Sequence, residues 1–382
     1  MGALRRSHLA ALAAVAALLL LLLARGTPPR PPRPGPAPAR GPAPAVAAPA
    51  PGPAQAAAAA PAPATTPDND TAAAPPTKPP AKPPPETSKQ VPAASPKTQP
   101  AAPDPSVQLT GQLYVAGHER AHPELCPALG DKLAMLILVT SAPGHAAARD
   151  AVRLTWGHYA VRKDVAFAFV LGSPPAALRP AIEAEDALYG DLIIGNSIDS
   201  YSNLTLKTLS MLEWADTYCP RAPRLLKTDD DMFINVPRLL KFAAAPNRVN
   251  ATRTIWGKVL RKAYPKRTPK SKYYLSVSAW PGRVLPDFAT GPAYLLTADA
   301  VAPLLAAAPN APYVRLEDVF VTGVLAGRLG LSRKHAAEFY NRRVAPHPCA
   351  VQRGLAIHMV RYHEQFDLWR KLLDGKTKCA GA

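Results

Sequence analysis

From Leu133 onward the chain alternates short apolar runs with helix-patterned stretches, and the fourth run ends on three consecutive carboxylates. Leu133–Val139 is an unbroken apolar run bounded by polar and Pro/Gly residues, the pattern of a strand buried on both faces. Ala146–Trp156 reads as a helix after the Pro143-Gly144 turn, Val165–Leu171 as a second strand and Pro180–Tyr189 as a short helix. Asp191–Ile194 is a third strand, Leu204–Tyr218 a helix, and Arg224–Thr228 a fourth strand that delivers Asp229-Asp230-Asp231. Strands alternating with helices predict an α/β domain around a mostly parallel sheet. The later half is less regular: Ile255–Val259 and Ala293–Leu296 read as strands, Ala298–Ala308 and Glu317–Leu329 as helices.

Three adjacent like charges repel, so folding alone gives little reason to keep the triplet. A divalent cation supplies one. In an extended strand, side chains at i and i+2 share a face, so Asp229 and Asp231 would point the same way with hard oxygen donors suited to Mn²⁺ or Mg²⁺. Such a metal completes its shell with substrate phosphates, and ligands of open α/β sheets bind beyond the carboxyl ends of the strands. The competing readings are an acidic turn and a structural Ca²⁺ loop.

The rest of the chain bounds the setting. Of 47 prolines in 382 residues, 27 precede Val107, which divides a tail from a core of about 276 residues, long enough for one large domain. Residues 1–8 form a short basic tail, and 9–24 contain only Leu, Ala and Val. Sixteen residues span about 24 Å as a helix, short for an average bilayer but adequate for a thin one. We expect an uncleaved signal-anchor there; a cleaved signal peptide is the alternative, with Ala24-Arg25-Gly26 as a small-x-small site. Residues 25–106 are Pro/Ala-rich, lack aromatic residues and apolar periodicity, and are expected to form a disordered stalk.

All four cysteines lie in the core, an even count that suggests two disulfides behind a secretory segment. Three connectivities are open, of which Cys126–Cys219 with Cys349–Cys379 is the favoured one. The lack of a Cys-x-x-Cys spacing argues against zinc. Asn69, Asn203 and Asn250 begin glycosylation sequons. The net charge is +18, and the core keeps 35 Lys/Arg against 23 Asp/Glu. Nucleic acid is an obvious partner for such charge, but no nucleic-acid motif accompanies it. Anionic sugar-nucleotide donors or acidic glycans fit better.

Five segments then occur in order: Arg149-Asp150-Ala151-Val152-Arg153-Leu154-Thr155-Trp156-Gly157, Asp199-Ser200-Tyr201-Ser202-Asn203-Leu204-Thr205-Leu206-Lys207-Thr208, Lys227-Thr228-Asp229-Asp230-Asp231, Pro286-Asp287-Phe288-Ala289-Thr290-Gly291-Pro292-Ala293-Tyr294 and Leu316-Glu317-Asp318-Val319-Phe320. Together they resemble the β-1,3-galactosyltransferase / β-1,3-N-acetylglucosaminyltransferase family, glycosyltransferase family 31, over roughly residues 130–365. The resemblance implies a GT-A fold, an inverting mechanism, a UDP-sugar donor, a glycan acceptor on glycoprotein or glycolipid, Mn²⁺, and a single-pass type II Golgi membrane protein with its catalytic domain, 107–382, in the lumen. It assigns Asp231 as metal ligand, with Asp229 and Asp230 facing the nucleotide and Asp229 also near the metal. Asp318 is the general base, Arg149 and Arg153 lie near the donor, and His358 faces the metal. Glu317, Gly291 and Trp256 complete the candidate substrate contacts. Phe288 stands where the family commonly has Tyr, a lost hydroxyl that bears on the acceptor.

Each assignment has a plainer counterpart. Glu317-Asp318 could only charge a helix N-terminus, Arg149 and Arg153 could form a solvated basic face, and His358 could be a core histidine. Asn203 could carry a glycan or pack near the site; Asn250 is the better glycan candidate. UDP-galactose is the favoured donor. UDP-GlcNAc on the same scaffold is its rival, and an inactive tethered glycan-binding protein or a Ca²⁺-binding structural protein is the alternative of another class.

Overall fold

The computed structural model describes residues 108–379. The expected cytoplasmic tail, anchor, stalk and the Asn69 sequon lie outside the described residues. Among the described residues no helix is long and apolar enough to cross a membrane.

Ten strands are present among the described residues: β1 (His118–Arg120), β2 (Met135–Thr140), β3 (Val165–Ser173), β4 (Leu192–Ile198), β5 (Arg224–Asp229), β6 (Phe233–Ile234), β7 (Thr254–Leu260), β8 (Phe288–Thr297), β9 (Ser332–His335) and β10 (Ala356–Ile357). The longer helices are α1 (Ala146–Arg153), α2 (Arg179–Tyr189), α3 (Leu204–Tyr218), α4 (Val236–Ala243), α5 (Val301–Ala307) and α6 (Tyr362–Leu372). Eight strands form one sheet in the order β1-β4-β3-β2-β5-β8-β7-β9, and β6 and β10 form a small second ladder. β4, β3, β2 and β5 run parallel, joined through α1, α2 and α3.

The apolar runs are continuous because both faces of the sheet are covered. Leu136 and Leu138 of β2 pack into one core with Leu209, Met211 and Trp214 of α3. Met135, Ile137 and Val139 face the opposite core with Val152 of α1, Trp156, Ile182 of α2 and Leu239 of α4. Period-2 alternation is therefore apolar on apolar, as in buried parallel strands.

The sheet is mixed: β4, β3, β2 and β5 are parallel as expected and β9 is parallel to β7, while β1 pairs antiparallel with β4. β8 pairs antiparallel with both β5 and β7. The connection between β7 and β8, residues 261–287, contains no helix, the usual form of a parallel crossover. The helix expected over Ala146–Trp156 stops at Arg153, and Trp156 opens a 3₁₀ turn. The one expected over Glu317–Leu329 is a π-helical stretch, Val319–Leu325, continued by a short α-turn, Ala326–Arg328. π-turns carry i→i+5 bonds and are frequent at functional sites. Both favoured disulfides are present: Cys126–Cys219 ties the chain before β2 to the end of α3, and Cys349–Cys379 ties the C-terminal segment to the short helix before β10.

Candidate active site

A cavity of about 440 Å³ opens at the carboxyl ends of β2, β4 and β5 and contains all three aspartates. The chain does not stay extended through them: β5 ends at Asp229 and Asp230-Asp231 form a turn. The i, i+2 relation of a strand is thus lost, and each carboxylate has its own partners.

Asp229 accepts from Lys227 Nζ and Thr140 Oγ1, both at 2.5 Å. Burial raises its pKa, against the opposing pull of Lys227 and Thr140. Asp230 accepts from Ser141 Oγ at 2.7 Å and meets His145 Nδ1 at 2.9 Å. That contact raises the His145 pKa. Asp231 turns outward, with its side chain 48% exposed, and its Oδ2 lies 3.3 Å from His358 Nε2. The small ladder explains the meeting. Phe233 pairs with Ile357 antiparallel, and continuing the two chains past that pair brings His358 diagonally next to Asp231. A Val360 N–H donor to the Asp231 carbonyl, 2.9 Å, fixes the register.

The second acidic element, Glu317-Asp318, lines the same cavity. Asp318 caps the π-helical stretch: Oδ1 accepts from Val319 N and Oδ2 from Gly291 N, each at 2.9 Å. Burial raises its pKa, and the two amides hold it back. Glu317 is buried beside it, accepts from Tyr294 Oη at 2.6 Å, and is pushed up by burial to about 7. Gly291 leaves room for this approach. A Cβ there would sit 3.1 Å from Glu317 Oε2 and 3.5 Å from Asp318 Oδ2.

Lys227 joins the two halves. Its buried ammonium donates to Asp229 and, at 2.7 Å, to the Gly291 carbonyl, and lies 3.7 Å from Glu317 Oε2. Burial alone would lower its pKa; the surrounding carboxylates outweigh that and raise it. A second buried cation, Lys207 of α3, binds Asp199 at 2.6 Å and the Ser141 carbonyl at 2.7 Å. Sequence reasoning assigned no role to Lys227, Lys207, Ser141, His145 or Tyr294. Lys227, Lys207 and Tyr294 stand inside the recognised segments, a signal that could have found them; Ser141 and His145 do not.

Other expected contacts fall elsewhere. Arg149 and Arg153 do not line the cavity, nor do they form a solvated face. Arg149 is fully buried and clamps Glu185 bidentately, both bonds 2.6 Å, while its Nη1 donates to the Ala142 carbonyl and Ser141 Oγ. It acts on Asp230 through Ser141. Arg153 pairs with Asp191, Glu185 and Asp150 and stacks on Tyr189, outside the cavity. Trp256 is a core residue facing Phe242 and Arg224, away from the site. Phe288 is also buried in the core and is not among the residues that line the cavity. The Asn203 amide donates to the Ile198 carbonyl at 3.0 Å and Thr205 Oγ1 to the Val314 carbonyl at 2.8 Å, so that sequon is built into the fold. Asn250 is exposed.

Among the described residues no group of three or more His, Cys, Asp or Glu is arranged to hold a metal. Asp231 and His358 form a two-donor edge: two ligands of one octahedral ion at about 2.1 Å lie roughly 3 Å apart, close to the 3.3 Å seen. One carboxylate and one imidazole form a donor pair open to a divalent ion and do not by themselves select which. Asp229 is committed to Lys227 and Thr140 through Oδ1.

Residues 147–337 match the family described as Galactosyltransferase. Beta-1,3-galactosyltransferase 4 of Rattus norvegicus is 35% identical over 275 residues, covering 64% of this chain and 72% of that protein. The chain belongs to the galactosyltransferase family, glycosyltransferase family 31. Other similar members are beta-1,3-galactosyltransferase 5 of Homo sapiens (34% identity; 62% of this chain, 78% of that one) and lactosylceramide 1,3-N-acetyl-beta-D-glucosaminyltransferase of Homo sapiens (31%; 67% and 70%). Among solved structures, the galactosyltransferase LgtC in complex with donor and acceptor sugar analogs aligns at 10% identity over 64% of this chain and 98% of that one, with a TM-score of 0.34, a likeness too slight to argue from. As a family member the protein is a glycosyltransferase whose sheet ends in an acidic cavity.

Proposed function

We propose that this galactosyltransferase-family protein transfers galactose from UDP-galactose in β-1,3 linkage to a glycan acceptor, with inversion, on a GT-A type scaffold. The observation that carries the reading is the convergence of Asp229-Asp230-Asp231 and Glu317-Asp318, from distant parts of the chain, on one cavity. The first suits a nucleotide diphosphate, the second an activated hydroxyl.

An attacking sugar hydroxyl titrates far above pH 7, so a base must take its proton during attack. Asp318 is placed for this. Two backbone amides hold the carboxylate in position, and burial keeps it more basic than an exposed aspartate. Such assistance contributes roughly 10²–10⁴ in rate. Glu317, with its pKa near 7, stays close to Lys227 and does not compete as a permanent second charge. Asp231 and His358 would hold Mn²⁺, which when bound offsets charge on the leaving diphosphate. Asp230, oriented by Ser141 and His145, faces the nucleotide. A Golgi membrane protein with a lumenal domain accords with two disulfides and an exposed Asn250 sequon.

The relative named for N-acetylglucosaminyl transfer supports UDP-GlcNAc as the second reading of the same site. A donor-by-acceptor assay with Mn²⁺, with linkage determined on the product, separates the two. Asp318→Asn should retain UDP binding and lose transfer by at least about 10²-fold. Near-normal turnover of that variant would refute the base assignment, and no UDP release from any sugar donor would return the protein to a glycan-binding role.

A further inference from the structure

The connection between β7 and β8, residues 261–287, holds seven Lys/Arg and one acidic residue, Asp287. It is a built element. Arg267 braces it from within by donating to the carbonyls of Leu275, Ser276, Trp280 and Gly282, and Leu275 and Leu285 anchor it in the core. Arg315, two residues before Glu317, pins it to the segment that carries Asp318 by donating to the Tyr274 and Lys272 carbonyls, both 2.9 Å.

The charges of this loop are dense and largely without carboxylate partners. Buried cations elsewhere in the domain, such as Arg149 and Lys207, are matched to carboxylates, whereas exposed ones such as Lys132, Lys163 and Lys241 have none among the described residues; the loop differs in gathering its cations beside the cavity. Within the loop only Arg261 has such a partner, Asp287 at 3.6 Å. Lys262, Lys266, Lys270, Lys272 and Arg283 are exposed and have no carboxylate partner among the described residues. The strip runs into the site. Lys272 and Tyr273 line the cavity beside Tyr201 and Asp318. Tyr201 and Tyr273 are each 47% exposed, and Lys272 Nζ lies over the Tyr273 ring, 5.0 Å from its centroid.

We infer that the acceptor of this enzyme is an anionic glycan, one bearing sulfate or uronate groups, which lies along the 261–287 loop and places its terminal sugar between Tyr201 and Tyr273. This rests on the transferase reading above and adds the acceptor class. Unpaired cations leading to the base side of a cavity attract a polyanion and orient it. An anionic membrane would also be attracted, but a flat surface does not enter a cavity lined by Lys272 and Tyr273.

The test uses the full-length protein, Mn²⁺, whichever of UDP-galactose and UDP-GlcNAc is turned over, and two acceptors differing only in one sulfate or carboxylate. The anionic acceptor should show the lower KM, and the difference should shrink between low and high salt as the Debye length falls. Lys272→Gln should raise the KM for the anionic acceptor about fivefold more than that for the neutral one, the equivalent of about 1 kcal/mol for one exposed charge pair. A Lys262→Gln/Lys266→Gln/Lys270→Gln variant with an unchanged melting temperature should flatten the salt dependence. Equal KM values for the two acceptors would overturn the inference. So would a Lys272→Gln effect confined to the donor KM, or loop variants that change only binding to anionic phospholipid vesicles. UDP release measured without acceptor separates this from failure of the transferase reading, which would show as no release from any donor.

Discussion

Lys227→Met should be the most damaging single change in the cavity, and its cost should depend on pH. The native ammonium is 5% exposed and makes two charge-assisted bonds, to Asp229 at 2.5 Å and to the Gly291 carbonyl at 2.7 Å. At about 1.5–3 kcal/mol for each hydrogen bond to a charged group, their loss costs about 3–6 kcal/mol. Breaking a buried ion pair by removing one partner gives about 3–5 kcal/mol independently. The raised pKa of Lys227 means that its stabilisation is complete below its unfolded value and is lost only in strong alkali, so the native protein has all of it at pH 8. Glu317 behaves in the opposite sense to an ordinary paired carboxylate. Its folded pKa is about 7, above the usual 4.5, so the stability linked to its protonation is present at low pH and lost as pH rises through about 7. Without Lys227, both Glu317 and Asp229 are pushed further up, and protonation relieves them. The variant should therefore lose most stability above pH 7 and recover part of it near pH 5. Thermal melting of the purified protein at pH 5.5 and pH 8 reads this directly. With about 2–4 °C per kcal/mol for a domain of this size, the expected drop at pH 8 is roughly 6–20 °C. A drop below about 2 °C at pH 8, or equal drops at both pH values, would refute the bridging role.

Removal of divalent metal with EDTA should abolish transfer, and Mn²⁺ should restore it. In direct Mn²⁺ titrations His358→Ala should weaken binding by at least about tenfold, since even outer-shell partners cost about 10–100-fold; unchanged Mn²⁺ affinity would remove His358 from the site. Gly291→Ala places a methyl 3.1 Å from Glu317 Oε2 and should cut turnover with little change in donor KM, because it displaces the Glu317-Asp318 segment and not the nucleotide side; a variant with native kcat would show that the approach is not required. Cys126→Ser opens a link between residues 93 apart and should cost about 2–5 kcal/mol, read as a lower melting temperature in non-reducing buffer; no change there would mean that the bond adds no stability.

The parts of this protein that are legible in its sequence are those set by local periodicity. β2, β3 and β5 are visible because two covered faces leave no polar alternation, and α3 coincides with its expected range, Leu204–Tyr218, because turn residues bound an apolar periodic stretch. What escapes is set by partners far along the chain. β8 runs antiparallel because of where the 261–287 connection returns it, which no residue within β8 encodes. The triplet shows the same limit more sharply. Its spacing suggests a shared face for Asp229 and Asp231, yet residues 89, 85 and 127 positions away decide what each carboxylate does: Thr140 with Asp229, His145 with Asp230, His358 with Asp231. Arg149 and Arg153 keep their place in the recognised segment but reach the site only through Glu185 and Ser141, so a family pattern can mark a residue that matters without saying whether it touches ligand. Lys227 is the clearest instance. A lysine beside three aspartates reads as simple charge balance, and only its position beneath Gly291 and Glu317 turns it into the strut between two acidic elements. If that strut is what holds the halves at working distance, charge conservation should not be enough: Lys227→Arg keeps the cation but lengthens and flattens the donor group, and should fall between native and Lys227→Met in melting temperature while losing transfer nearly as fully as the latter.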